Sequence, residues 1–381
     1  MNIPLIVQSA PKHGGNALEL CAQYGLSLTD CIDLTAAINP EPYPVGELPQ
    51  SIWQALPQEQ DGLMDAAAAY YGLNLQSQNA ASSLLMVPGS TWAIHALPIA
   101  LAGALPDQPE LHCQINQASQ AVTSVTRRRV WVPQQGFSEH AYAWQQNGCA
   151  LCRYTSMPDV SAALLAEITA SISNMNQGDV VVLINPNNPT GQLWTQEQVL
   201  ALLASVTARN GWLVVDEAFM DVTPQHSVIQ HDSQNLIVMR SFGKFFGLAG
   251  LRVGAIKAPV AVIERLAQQL PPWSMNAPAR YLAKQAYTDL NWQQRSRERL
   301  HSTQSEVVNA LTHLSQTTQG RLVVTPLFYT LYLNQAKRLH CALAQQGVLT
   351  RLLDDHSGVR LGRVAPHHIQ RALRAFSQVE L

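Results

Sequence analysis

NLIVMRSFGKFFGLAGLRVGA, Asn235 to Ala255, is the stretch whose reading decides the fold. An apolar run of strand length delivers the chain into a Ser- and Gly-rich turn that carries Lys244, and Arg252 follows eight positions on. A lysine so placed can form a Schiff base. Two upstream segments have the same build: VVVLINPNNPTG (Val180 to Gly191) and WLVVDEAFMD (Trp212 to Asp221). Each is an apolar strand ending in polar residues, the place where open parallel sheets put groups that meet a ligand. Three such strand ends converge on one crevice, so an α/β fold is expected.

Length and composition narrow the function. A chain of 381 residues exceeds one typical domain and can bury two substantial cores. Its formal net charge is −2, and its single basic run, Arg127 to Arg129, is expected to be an exposed turn before the strand VWVP, so nothing points to nucleic acid. The N-terminal MNIPLIVQSAPKHGG lacks a basic segment followed by a long apolar core, and no apolar stretch reaches bilayer-spanning length. A cytoplasmic protein without membrane contact is expected. Six cysteines in a chain this long do not make a disulfide framework; Cys149 and Cys152 form one C-x-x-C without a second pair or nearby His, and are read as buried thiols rather than metal ligands.

In their order and spacing, N-P-x-N-P-T-G, D-E-A-[YF] and S-x-x-K with a later Arg resemble the fold-type I pyridoxal-phosphate (PLP) enzymes, the aminotransferase superfamily. The resemblance implies a large domain with a mostly parallel mixed sheet flanked by helices, a small α+β C-terminal domain, PLP as cofactor, Lys244 as its anchor, and a homodimer. The expected division is an arm at 1–45 that contributes to the substrate site, a PLP-binding domain at 46–270 and a small domain at 271–381. A long polar helix is expected from Tyr281 to about Leu314.

Each residue type answers a need of that cofactor. PLP stabilises a carbanion best when its pyridine nitrogen stays protonated, which calls for a buried carboxylate, and Asp216 fits; an Asp there could also cap the next helix. Asn188 would donate to the phenolic oxygen, although N-N-P-T-G also suits a turn without a ligand. The phosphate needs helix N-terminal amides, hydroxyls and a cation. Gly89, Ser90 and Thr91 offer the first two, as would any ordinary N-cap, and Ser241 with Arg252 match the superfamily's phosphate ligands. Phe137 stands where the superfamily stacks an aromatic ring on the pyridine, in a position that core packing would also fill.

H-G-G-N (His13 to Asn16), D-L-T-A-A-I-N-P-E-P-Y-P (Asp33 to Pro44), L-P-Q-E-Q-D-G-L, D-E-A-F-M-D and G-V-L-T-R-L-L-D-D together resemble, almost end to end, the L-threonine-O-3-phosphate decarboxylases of cobalamin biosynthesis. That family forms (R)-1-amino-2-propanol O-2-phosphate, the linker attached to the corrin ring. The resemblance makes Arg360 the ligand of the substrate carboxylate, and places Arg351 and His13 towards its phosphate, chemistry that bidentate arginines suit. Taken alone, Arg351 could instead pair with Asp354 or Asp355 at the surface, and His13 could be a capped turn residue. Three departures stand out: Ala37 replaces the first Asn of D-F-S-A-N-I-N-P, Phe219 replaces a Tyr that bonds the phenolic oxygen, and Leu56 to Asp61 replaces the R-Y-P-D-type dimer segment. A histidinol-phosphate-like aminotransferase would use the same residues, and a non-catalytic PLP-fold protein is the remaining alternative.

Overall fold

The computed structural model describes residues 14–74, 82–102, 127–156, 162–302 and 304–379. Strand β1 (Ile32–Asp33) stands apart from a central seven-stranded sheet made of β2 (Ser82–Val87), β3 (Arg129–Pro133), β4 (Ala150–Tyr154), β5 (Val180–Ile184), β6 (Trp212–Asp216), β7 (Leu236–Ser241) and β8 (Gly254–Pro259). Their order is β2-β8-β7-β6-β5-β3-β4, and β8 alone runs antiparallel to its neighbours. The all-apolar reading of β5 has a simple cause. Leu183, Val215 and Val238 face one apolar layer and Val182, Val214 and Ile237 the other, so these strands are buried on both sides.

Strand order also locates the crevice. After β3 the chain steps outward to β4, then returns to lay β5 on the other side of β3 and continues through β6 to β7. The reversal falls between β3 and β5, and such a switch point leaves an open cleft beyond the strands' carboxyl ends.

The C-terminal part holds β9 (Arg321–Val324), β10 (Phe328–Tyr332), β11 (Val348–Leu349), β12 (Arg351–Leu352) and β13 (Gly358–Gly362). Four of them make an antiparallel sheet in the order β12-β13-β10-β9. A separate apolar cluster that includes Leu331, Leu339 and Val359 backs this sheet. Strand β1 pairs with β11 in parallel, so the N-terminal arm is joined to this C-terminal part.

Two expectations are corrected. Arg129 is not in an exposed turn: it opens β3, and its backbone N–H, Nε and Nη2 donate to Asp179 at 2.8, 3.0 and 2.9 Å. Asp179 is buried one residue before β5, and a carboxylate there requires a cation. The expected long helix is three helices, Ala277–Thr288, Leu290–His301 and Ser305–Thr317. Asn276 caps the first by accepting from Ala279 N–H at 2.9 Å, and Asp289 ends it and caps the second through Trp292 N–H at 2.9 Å. Chemical denaturation should find Asn276→Ala less stable than Asn276→Asp by about 1 kcal/mol; equal stabilities would show that the cap contributes nothing.

Candidate active site

Asp216 is the last residue of β6 and only 3% exposed. Its Oδ1 accepts the Ala218 N–H at 3.0 Å, and its Oδ2 lies 2.9 Å from His140 Nε2. An ionised carboxylate only accepts, so Nε2 carries the proton, and each oxygen keeps a lone pair for a further donor. His140 is the site residue that sequence reasoning missed. It sits in the helix Glu139–Gln146 three positions after Phe137, whose ring meets the imidazole edge-on at 6.4 Å. The signal is F-S-E-H itself, whose histidine follows the aromatic by three positions.

Lys244 lies in the four-residue helix Phe242–Phe245 that follows β7. Burial first, and then the positive charge of Arg360, bring its amine down from 10.5 to about 8, with Asp216 opposing. Its Nζ stands 5.5 Å from the centre of the Phe219 ring, which itself packs edge-on against Phe328 at 5.5 Å. The Phe in place of Tyr is therefore part of the wall beside the lysine and brings no hydroxyl.

At the other end, Gly89 has φ +85° and leads from β2 into the helix Ser90–Ala102, whose first turn carries Ser90 and Thr91. A Cβ on Gly89 would fall 2.6 Å from Arg252 Nη2, so the guanidinium lies against the glycine. Gly254 makes the same kind of approach, its missing Cβ 2.6 Å from the Ser90 backbone N. Ser241 closes β7 nearby in sequence to Lys244, buried, with no capping bond from its side chain. A helix N-terminus, two or three hydroxyls and an arginine make a donor set suited to a phosphate.

The C-terminal sheet supplies the facing wall. Arg360 on β13 is 3% exposed; its Nη1 donates to Asn188 Oδ1 at 2.8 Å and its Nη2 to the Thr35 carbonyl. Its Nε is buried without a partner. Burial, then the neighbouring charge of Arg351, lower its pKa. Because Asn188 accepts through Oδ1, its Nδ2 is left as the donor, the polarity that a phenolic oxygen requires. Thr330 on β10 donates to the Pro189 carbonyl at 2.6 Å and holds this turn to the small sheet.

Arg351 pairs with Arg360 across β12 and β13. Its side chain is 17% exposed and lies 3.4 Å from Asp354, so the surface pairing foreseen as an alternative is present in a half-buried setting. Arg351, Arg153, Phe137, His140, Pro189 and Asp355 line one cavity of about 240 Å³. A Cβ on Gly14 would stand 3.0 Å from Arg360 Nη2, which puts the arm against this arginine; His13 lies outside the described residues. Ala37 is buried in the core. Asp61, in the reworked dimer segment, is gripped by Arg280 through Nε at 2.7 Å and Nη2 at 2.9 Å.

The sequence signature of the family described as "Aminotransferase class I and II" matches residues 112–375. The chain belongs to that family. It is 35% identical to the threonine-phosphate decarboxylase of Pseudomonas aeruginosa over 92% of both chains, and 37% identical to that of a Sinorhizobium species over 72% of both. In this family the fold is shared widely. The L-threonine-O-3-phosphate decarboxylase structure from Porphyromonas gingivalis has a TM-score of 0.62 at 21% identity, covering 97% of both chains. The histidinol-phosphate aminotransferase of Sinorhizobium meliloti in complex with pyridoxal-5'-phosphate reaches 0.71 at 18% identity, over 98% of this chain and 96% of that one.

Only the neutral amine is a nucleophile, so capture of PLP by cofactor-free protein should accelerate with pH through about 8, rather than through 10.5 as for an ordinary lysine. Loss of free PLP followed by its absorbance checks this, and a profile still rising steeply above pH 9 would contradict it. Gly89→Ala should displace Arg252 and raise the PLP concentration for half-saturation about tenfold, the cost of one charge-assisted bond.

Proposed function

We propose that this protein decarboxylates L-threonine O-3-phosphate to (R)-1-amino-2-propanol O-2-phosphate for cobalamin synthesis, with PLP held by Gly89, Ser90, Thr91, Phe137, Asn188, Asp216, Ser241, Lys244 and Arg252. The observation that carries the reading is the pairing of Arg351 with Arg360 across β12 and β13. Partners directly opposed in an antiparallel ladder stand about 5 Å apart and point to one face. They offer two guanidiniums to a substrate that bears a carboxylate and a phosphate. The relative from Pseudomonas aeruginosa, similar over nearly its whole length, supports the same substrate. The histidinol-phosphate aminotransferases found by sequence match shorter stretches, such as 48% of the chain for the Legionella pneumophila protein.

Bound PLP supplies an electron-withdrawing ring that takes up the electron pair left at the substrate Cα. Residues of the chain decide which bond breaks there and what replaces it. Arg360, oriented by Asn188 and Thr35, takes the α-carboxylate; Arg351 exchanges Asp354 for the dianionic phosphate. Asp216, steadied by His140, would accept from the ring nitrogen of the bound cofactor. Lys244, with a pKa of about 8, carries a proton in much of the population near neutrality and delivers it from Nζ to Cα once CO2 has left. By the family resemblance, His13 is a further candidate ligand of the substrate phosphate.

The wider reading is part of the same proposal. The protein works as a cytoplasmic homodimer, since closed two-fold dimers are the commonest oligomers. The same proposal assigns 1–45 to the arm, 46–270 to the cofactor domain and 271–381 to the small domain, with the helices Ala277–Thr288 and Leu290–His301 packed against the large domain's core.

Purified protein incubated with threonine phosphate should release CO2 without any 2-oxoacid. Dependence on a 2-oxoacid would make it an aminotransferase, and inertness despite bound PLP would make it a binding protein. Arg351→Ala should raise KM for threonine phosphate at least about tenfold yet barely change the handling of free threonine, because a charge-assisted bond contributes only where its partner exists. Arg360→Ala should impair both.

A further inference from the structure

Arg351 and Arg360 occupy the two strands of one hairpin, whose tip is the turn Asp354 to Ser357. The turn is held by Asp355, whose Oδ1 accepts the Ser357 N–H at 3.0 Å and its hydroxyl at 2.6 Å. Burial works against ionisation of Asp355, but the bonds from Ser357 and Gln135 outweigh it and hold its carboxyl below the usual range. The tip reaches across to the central sheet. Gln135, two residues before Phe137, donates from Nε2 to Asp355 Oδ2 at 2.6 Å and to Ser357 Oγ at 3.1 Å. Its Oε1 accepts the Tyr332 hydroxyl at 3.3 Å. Burial first, then the charge of Asp355, push that phenol up to about 12, so it remains a donor.

The backbone of Gln135 is fixed independently. Its N–H donates to Ser156 Oγ at 2.9 Å, and its carbonyl accepts from Ser156 Oγ at 2.9 Å and from Asn187 Nδ2 at 2.8 Å. The side chain therefore projects from a rigid base, beside both the expected cofactor-stacking ring and the Asn187-Asn188 turn. Other contacts already join the small sheet to the large one at the inner end, namely Arg360 to Asn188 and Thr330 to Pro189. Gln135 acts farther out, at the tip itself, three residues beyond the opposed pair Arg351 and Arg360.

We propose that Gln135 is a positioning residue: its amide latches the tip of the arginine hairpin to the Phe137 loop and so sets the distance between Arg351 and the cofactor crevice. The kinetic part of this rests on the decarboxylase reading. Adjacent carboxylates at the tip divide the work, since Asp354 meets Arg351 and Asp355 meets Gln135. Without the latch the hairpin stays folded through its own ladder, but its outer end is no longer held over the cavity. Substrate capture then weakens while the chemistry at Lys244 does not change.

A cycle that exchanges amide and carboxylate between positions 135 and 355 tests this. Gln135→Glu sets a carboxylate against Asp355, whereas the double variant Gln135→Glu with Asp355→Asn restores the bond with donor and acceptor exchanged. Gln135→Glu should raise KM for threonine phosphate about tenfold, the loss of one charge-assisted contact, leaving kcat and PLP affinity nearly unchanged. Amide exchange of residues 353–358 should accelerate in parallel. The double variant should recover both to within about twofold, the residual expected when coupled neighbours are exchanged together. An unchanged KM in Gln135→Glu, or a double variant no better than the single, overturns the proposal. If the wild-type protein does not turn over threonine phosphate, the decarboxylase reading fails, and the exchange measurement alone then decides whether the latch exists.

Discussion

The guanidinium of Arg360 is where three separate lengths of chain meet. It is buried, bonded to a carbonyl of the arm and to a side chain beyond β5, and it belongs to the small sheet itself. Both bonded partners are neutral oxygens, and the charge of Asp33 opposes the burial only from a distance, since burial and Arg351 still lower the pKa. A buried cation in that condition is costly, and the cost falls when an anion arrives. The nitrogen left without a partner, Nε, and the second arginine across the ladder add to the same deficit. A readiness to accept an anion is in this sense stored in the folded protein before any ligand binds.

That excess of positive charge reaches the lysine as well. Lys244 responds to Arg360 and Arg252 as like charges and to Asp216 as an opposite one, with burial as the largest influence. The same electrostatics that would collect an anionic substrate therefore keep the lysine in a range where it can both accept and give a proton near neutrality. Placing binding cations and a nucleophilic amine in one crevice couples the two requirements.

What could be read from the sequence was what each strand carries at its own end. Asp216, Asn188, Ser241 and Lys244 follow apolar runs within a few residues, so local pattern located them. The turn at Gly89 announced itself through Pro-Gly-Ser-Thr before an apolar helix. Contacts made across long stretches of sequence left no such mark. His140 reaches Asp216 from 76 residues away and Gln135 reaches Asp355 from 220, and nothing in their immediate neighbours signals the partner. The break in the expected long helix had a local signal, Asp289 before Leu290, but a polar helix tolerates Asp in its interior, so pattern alone did not distinguish a cap from a surface residue. Arg129 shows the converse: a run of three arginines reads as exposed unless the buried Asp179 is known.

The short parallel pair of β1 and β11 also fixes an order in time. Ile32 and Asp33 lie beside Val348 and Leu349, so a strand made early has no partner until the chain is almost finished. Thr35, whose carbonyl receives Arg360, follows β1 directly and must wait with it. The central sheet can form as its strands emerge, since domains generally fold as units and local pairings close with less entropy loss than distant ones. The crevice is thus assembled last, and a chain interrupted shortly before its end would carry a complete cofactor floor under an unfinished roof.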